Sequence, residues 1–584
     1  MPILARPGRA GKPRVAARPA VAHNGGTVAT PSPRCPMTPS YAHGTSPTPL
    51  LGETVGENLR RTVERVPDAD ALVVRSQHYR ATYRELWEQT GRCARGLMTR
   101  GVAAGDRVGI WAPNRAEWVV AQFAAARAGA ILVNLNPAYR AAELEFALTR
   151  AGVSVLLLAR GFRGLDYRQT LADVRPRCPE LREALVLDDD WPGLLAAADG
   201  VSAAELAARE AAVRFDDAVN IQYTSGTTGL PKAATLTHHN VLNNAFFTGD
   251  RMGLTAADRV CVPVPFYHCF GMVLGTLACV AHGACVVVPG EGFDAAAALE
   301  AVAAERCTAL YGVPTMFIAV LEHPSLAATD VSSLRTGIMA GATCPVAVMR
   351  QVRERLHMPG VTICYGMTET SPVSTQTHPD DPVEKRVGTV GRVHPHVEVK
   401  VIDAATGRVV PRGEAGELCT RGYGVMSGYW GDAEATRAAV DAAGWMHTGD
   451  LGVMDADGYV SVTGRLKDVI IRGGENIAPR EVEEYLQGHP AVGEAQVVGV
   501  PSERYGEEVM AWVRLAPGAA ATAAELEAHC RAGLAGFKVP RHWEFVTAFP
   551  LTATGKVQKH KLREAAAARP AVTARDSSPE GVGV

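Results

Sequence analysis

The segment Tyr223-Thr224-Ser225-Gly226-Thr227-Thr228-Gly229-Leu230-Pro231-Lys232 combines two glycines, four Ser/Thr hydroxyls and a lysine. Glycines let backbone N–H groups close around an anion, hydroxyls add donors and the lysine adds charge, so the loop suits phosphate. It lacks the Gly-Lys-Ser/Thr ending of a Walker A loop. The same composition also suits an exposed Gly/Thr turn, and residue chemistry alone leaves both open. Further along, Tyr365-Gly366-Met367-Thr368-Glu369-Thr370 offers a hard carboxylate oxygen at Glu369, of the kind a divalent cation takes. Asp450, in His447-Thr448-Gly449-Asp450, has two acceptor oxygens that match two neighbouring hydroxyls, or it caps a turn. Arg465 is planar and permanently charged, which suits ribose or phosphate as well as a linker ion pair. Lys556 follows Gly555, and by spacing alone it reads as a solvated surface lysine.

These residues need elements to hold them. A short apolar strand over residues 218–223 leads into the Gly/Thr loop. From about 50 to 320, short apolar runs alternate with amphipathic ones: strands at 107–112, 130–134 and 153–158, helices at 116–128 and 142–151. Doubly buried strands separated by helices predict parallel or mixed sheets covered by helices. Residues 201–213 predict a surface helix. Residues 273–288 form the longest apolar stretch, but His282 and Gly283 interrupt it and it is too short for a bilayer; a buried helix followed by a buried strand is expected. After about 385, short β runs at 397–402, 416–420 and 459–463 predict a smaller β unit. After Gly464 the pattern is α+β, with strands at 469–471, 494–500 and 509–515 and helices at 479–487 and 523–534.

The fold class expected is therefore α/β, with α+β in the small domain. A large N-terminal domain (47–464) of mixed α/β sheets plus a β subdomain precedes a small mobile domain (465–566), flanked by disordered segments at 1–46 and 567–584. A chain of 584 residues exceeds one hydrophobic core. A net charge of -2 creates no global field for nucleic acid or an anionic membrane. The 12 cysteines show no C-x-x-C or zinc spacing and read as reduced, which predicts a cytoplasmic protein. Residues 1–46 hold Lys12 and arginines at 6, 9, 14, 18 and 34 without an acid, as an organellar transit peptide does; their proline content favours a disordered extension, or Met37 as the true start. No transmembrane segment is predicted.

The Gly/Thr loop resembles the phosphate-binding signature of the adenylate-forming superfamily. Six further stretches resemble that family's motifs in order: residues 337–342, Tyr365–Thr370, His447–Asp450, Gly464-Arg465-Leu466-Lys467-Asp468, Gly473-Gly474-Glu475-Asn476-Ile477, and 550–556. The likeness covers about residues 50–565; Ala233 stands where glycine is common. It implies a two-step enzyme: a carboxylic acid attacks ATP to give acyl-AMP and pyrophosphate, then coenzyme A takes the acyl group. It implies nucleotide contacts from Thr224, Ser225, Gly226, Thr227, Thr228, Gly229, Lys232, Gly341, Ala342, Tyr365, Gly366, Asp450 and Arg465. Thr368 would donate to phosphate, Glu369 hold Mg2+, and Lys556 bridge carboxylate and α-phosphate. Lys467 matches the hinge, and Gly473, Gly474 and Glu475 match a loop that lines the coenzyme A tunnel in a second domain orientation. His268, in Pro265-Phe266-Tyr267-His268-Cys269-Phe270-Gly271, would gate the acyl pocket or orient the thiol, or be a core histidine.

By the same resemblance the acyl pocket is lined near 266–272, 313–317, 339–342 and 365–371. These segments are apolar, and their one acid, Glu369, is already given to the metal, so an alkyl or aryl acid is favoured over an amino acid. Residues 134–148 further resemble medium-chain fatty acyl-CoA synthetases. The partners implied are small molecules, with a homodimer left open. The competing readings are an enzyme that loads a separate carrier protein and a non-catalytic nucleotide-binding homologue.

Overall fold

The computed structural model describes residues 38–224, 231–342, 344–473, 475–551 and 557–568. The strands group into two large sheets, two five-stranded sheets and a small hairpin at 161–166. The seven-stranded sheet runs in the order 428–429, 232–237, 218–224, 131–134, 107–111, 153–158, 183–186. Its centre is parallel, and the hairpin of Ala218–Thr224 with Lys232–Thr237 adds an antiparallel edge. The nine-stranded sheet has a parallel core of Gly360–Gly366, Thr336–Ala340, Ala309–Gly312, Arg259–Cys261, Cys285–Val288 and Asp70–Val74. The alternation of apolar runs and helices is thus realised as two mixed sheets.

Between these layers lies helix Ala116–Arg127, whose residues are buried except Glu117. It reads as a helix from its alanines, and it is apolar all round because elements cover every side. Arg127, at its end, keeps its charge buried through Glu210, the Trp87 carbonyl (2.7 Å), Thr90 (2.8 Å) and the Trp87 ring. Two other helices start on sequence-legible capping boxes, Thr82 with Glu85 and Ser202 with Glu205.

The apolar run at 273–288 departs from a plain helix and strand. Phe270–Leu277 is a π-helix, continued by Ala278–His282 and then strand Cys285–Val288. Gly271 lets it lie against the Pro265 carbonyl, and Gly275 against Val262, where a Cβ would overlap both. The Thr276 hydroxyl bonds the Met272 carbonyl. Widened helical turns of this kind concentrate at functional sites.

A five-stranded antiparallel sheet contains 41–43, 397–402, 415–422, 446–454 and 460–465. Its first strand corrects the expectation that 1–46 is wholly a disordered extension. Tyr41–His43 pairs with Val397–Ile402, the Tyr41 hydroxyl donates to Glu398 (2.6 Å) and the Ser40 hydroxyl to the Pro411 carbonyl (2.9 Å). Three strand residues held by partners some 350 positions away leave no local composition signal; residues 1–37 lie outside the described residues. The last sheet joins 475–477, 470–472, 506–515, 492–502 and 542–545, with its own apolar core from Ile470 to Val539. Helix Lys559–Ala567, unforeseen from the sequence, seats Leu562 beside Trp512 and Phe549.

Gly337 sits in strand Thr336–Ala340 between two parallel neighbours, at φ +158°, where a Cβ would overlap the Leu310 carbonyl. Gly337→Ala is expected to cost about 3 kcal/mol by overpacking and to lower the first thermal unfolding midpoint by roughly 5 °C or more. An unchanged calorimetric midpoint would contradict this packing.

Candidate active site

The two ends of the Gly/Thr loop face each other: Thr224 and Lys232 are direct cross-strand partners in the antiparallel hairpin. The ladder therefore fixes the spacing of the two strand ends that the Gly/Thr segment joins. Ser225, Gly226, Thr227, Thr228 and Gly229 lie outside the described residues.

Glu369 meets this hairpin from the other large sheet. It rides on the single turn Thr368–Thr370, between strands Gly360–Gly366 and Val373–Gln376. It is 5% exposed, and its Oε1 accepts the Thr224 hydroxyl (3.1 Å) and the Tyr429 hydroxyl (2.9 Å). A buried carboxylate needs such donors. Its backbone carbonyl accepts the Met426 N–H (2.9 Å), and Lys232 Nζ stands 4.9 Å over the Tyr429 ring. Thr224 and Glu369 thus meet directly, and Lys232 joins them through the Tyr429 ring. Tyr429 was missed. Its signal was slight, an aromatic flanked by Gly428 in a strand of two residues. Burial first, and then the Glu369 charge, push its hydroxyl pKa up, so it stays a donor.

Thr368 lies beside Glu369, buried, with its hydroxyl 3.6 Å from Cys269 Sγ. Cys269 Sγ is in turn 3.6 Å from Nδ1 of His268, which accepts the Phe270 N–H (3.2 Å). The segment before the π-helix therefore abuts the Thr368–Thr370 turn. Phe266, Met272, Phe317 and Met339, from the expected acyl-lining stretches, are almost wholly buried.

A second cluster sits four residues back along the chain. The Tyr365 hydroxyl donates to Asp450 Oδ2 (2.9 Å), and Arg465 Nε lies 2.8 Å from Asp450 Oδ1. Asp450 and Arg465 are cross-strand partners in the five-stranded sheet, and Asp450 is 6% exposed. Burial, then the Asp450 charge, push the Tyr365 pKa well up. Gly366 follows at φ +157°, where a Cβ would overlap the Pro372 carbonyl. Gly341 (φ +88°) and Ala342 leave strand Thr336–Ala340 exposed, one strand away from Tyr365, because Ala340 pairs with Cys364.

The remaining candidates stand apart. Lys467 is exposed in the turn Leu466–Asp468. Gly473 is exposed in a left-handed conformation (φ +60°), its N–H on the Tyr505 carbonyl (2.8 Å). Glu475 is exposed opposite Arg472. Gly474 and Lys556 lie outside the described residues.

Tyr429→Phe removes one charge-assisted donor from Glu369 without changing shape. A bond of this class is worth about 1.5–3 kcal/mol, and its loss leaves the buried carboxylate short of a donor, so the unfolding midpoint should fall by roughly 3 °C or more. Differential scanning calorimetry reads this; an unchanged midpoint would contradict the Tyr429–Glu369 bond.

Comparisons with known proteins identify the family. The model of the AMP-binding enzyme family matches residues 59–430, and that of the AMP-binding enzyme C-terminal domain matches residues 481–556. The medium-chain acyl-CoA ligase ACSF2, mitochondrial, of Danio rerio is 45% identical over 549 residues, covering 90% of this chain and 91% of its own. The ATP-bound crystal structure of MatB from Rhodopseudomonas palustris is 31% identical, with a TM-score of 0.76, covering 87% of this chain and 98% of its own. The anthranilate CoA ligase AuaEII in complex with anthranoyl-AMP is 28% identical, with a TM-score of 0.78, covering 89% and 98%. No helix among the described residues is long and apolar enough to cross a membrane. With Thr224 bonded to Glu369 and Tyr365 to Asp450 on one short segment, and the match running over most of the length, this chain belongs to the AMP-binding enzyme family of adenylate-forming acyl-CoA synthetases.

Proposed function

We propose that this protein is a medium-chain fatty acyl-CoA synthetase, which uses ATP to convert the acid to acyl-AMP and pyrophosphate and then passes the acyl group to coenzyme A with release of AMP. The observation that carries it is the meeting of Thr224 and Glu369 with Tyr365 and Asp450 on one strand and turn of the nine-stranded sheet, beside buried apolar segments. A carboxylate and a triphosphate are both anions, so the reaction requires cations where they meet. Lys232 supplies one from the hairpin edge. Glu369 has the hard oxygens that Mg2+ takes, and its Oε1 already points at the loop end through Thr224. When bound, Mg2+ neutralises phosphate charge. Thr368 donates to phosphate, and Asp450 takes the ribose hydroxyls in place of part of its present pairing with Tyr365 and Arg465.

Lys556 is the cation of the first step, and the loop at Gly473, Gly474 and Glu475 serves the second. Residues 47–464 form the nucleotide and acyl domain and 465–566 a mobile one, turning at Lys467. In support, Lys467 is exposed between the two units, and φ/ψ change at a few residues suffices for a hinge. The medium-chain substrate is supported by the Danio rerio relative and by the apolar residues Phe266, Met272, Phe317 and Met339. Each methylene contributes only about 0.8 kcal/mol, so neighbouring chain lengths are used too. His268 gates the pocket beside Thr368. The buried free cysteines fit a reducing cytoplasm.

A screen of coenzyme A-dependent AMP release from acetate to palmitate, with benzoates, should peak between hexanoate and dodecanoate; a maximum at acetate or benzoate would overturn the substrate class. Lys556→Ala should lower pyrophosphate exchange by about 10²-fold while sparing thioester formation from supplied acyl-AMP. Gly473→Leu should do the reverse, with Gly473→Ala as the milder variant at that left-handed position. Equal loss of both steps in both variants would overturn the two-orientation mechanism.

A further inference from the structure

We infer that Glu417 is a positioning residue for nucleotide binding, holding the turn at 447–450 so that the Asp450 carboxylate keeps its aim; this rests on the reading of Asp450 as the ribose acceptor. Strands Ala415–Gly422 and Met446–Met454 lose their regular pairing where the site is built. Glu417 lies opposite Leu451 and Cys419 opposite His447, so residues 448–450 stand against Leu418 alone. Such a bulge re-aims a side chain, and it removes backbone groups from the ladder that must find other partners.

Those partners are present, and one side chain holds both a freed backbone N–H and the neighbouring histidine ring. Glu417 is 8% exposed. Its Oε1 accepts the Gly449 N–H (3.1 Å), and its Oε2 lies 3.0 Å from Nδ1 of His447. The Thr448 hydroxyl donates to the Leu418 carbonyl (2.7 Å) and accepts the Asp450 N–H (3.1 Å). Gly449 takes the left-handed conformation (φ +68°) that the bulge demands. His447, Thr448 and Gly449 are each tied to strand Ala415–Gly422, and Asp450, held by the Thr448 hydroxyl, leaves the turn toward Tyr365 and Arg465.

A carboxylate is a costly choice for a post that also needs only an acceptor. Its side-chain partner is the His447 ring, whose Nε2 faces Asp441 Oδ2 at 3.8 Å. Cys419 Sγ, 3.7 Å from Nδ1, closes the inner side; burial pushes its thiol up to about 12, so it stays uncharged. Glu417 therefore orients the ring and the Gly449 amide together. A loosened turn would leave the fold standing and spoil the direction of Asp450.

The experiment compares ATP, 2′-deoxy-ATP and 3′-deoxy-ATP in pyrophosphate exchange for the parent, Glu417→Ala, Glu417→Gln and Asp450→Asn. The parent should favour ATP by at least roughly tenfold in KM, the value of one charge-assisted hydrogen bond. Glu417→Ala should raise KM for ATP about tenfold or more, leave KM for the acid within about twofold, and shrink the preference for ATP over the deoxy analogues to within about threefold. Glu417→Gln, which keeps an acceptor for Gly449, should fall between, and it carries the test together with His447→Gln if the alanine variant does not fold. Parent-like preference for ATP in the Glu417 variants, with Asp450→Asn having lost it, overturns this proposal alone. Equal use of ATP and the deoxy analogues by the parent overturns the ribose reading of Asp450, and the positioning role falls with it.

Discussion

A buried carboxylate shared between two sheets holds the cleft in shape. Glu369 rides on the nine-stranded sheet, and its donors, Thr224 and Tyr429, come from the seven-stranded one. Removing a carboxylate from water costs several kcal/mol unless donors surround it, so Glu369 keeps its position only while both sheets keep theirs. The strand entering the Gly/Thr loop, the edge strand Gly428–Tyr429 and the turn Thr368–Thr370 are fixed together by this requirement. The same negative charge dictates what may enter: an anionic substrate is tolerated only with a cation.

Chain continuity links the two clusters. Tyr365 and Glu369 are separated by one turn of a single segment, so the Asp450 cluster and the Thr224 cluster cannot drift apart. Asp450 arrives from a third sheet through the bulge opposite Leu418. Three sheets contribute two carboxylates (Glu369 and Asp450), the hydroxyl pair of Thr224 and Tyr429, and the Tyr365 hydroxyl to a cluster that spans more than 200 residues of sequence. The edge strand Tyr41–His43 completes the sheet that carries Asp450.

Beyond Arg465 the chain enters the exposed turn Leu466–Asp468. Arg563 pairs with Asp468 there (2.6 Å), and Arg480 reaches back across it to the Val462 carbonyl. A part-exposed ion pair of this kind contributes about 0–1 kcal/mol.

The sequence by itself determined the alternation of strands and helices, because doubly buried runs and capping residues are local signals: helix Pro479–Gln487 and strand Val153–Leu158 fall where the pattern puts them. It also determined the chemistry available, since Thr224, Glu369, Asp450 and Arg465 lie in motifs with an order that chance does not give. It could not show that Glu369 needs Tyr429, that Tyr365 uses its hydroxyl on Asp450, or that Glu417 ties the Asp450 turn to the neighbouring strand. Nor did it show the strand at 41–43 or the π-helix at 270–277. Each of these depends on a partner brought near by strand register or on how closely two backbones approach. Such contacts are decided only when the sheets close on one another, because residue type fixes what a side chain can do and tertiary structure fixes what it meets.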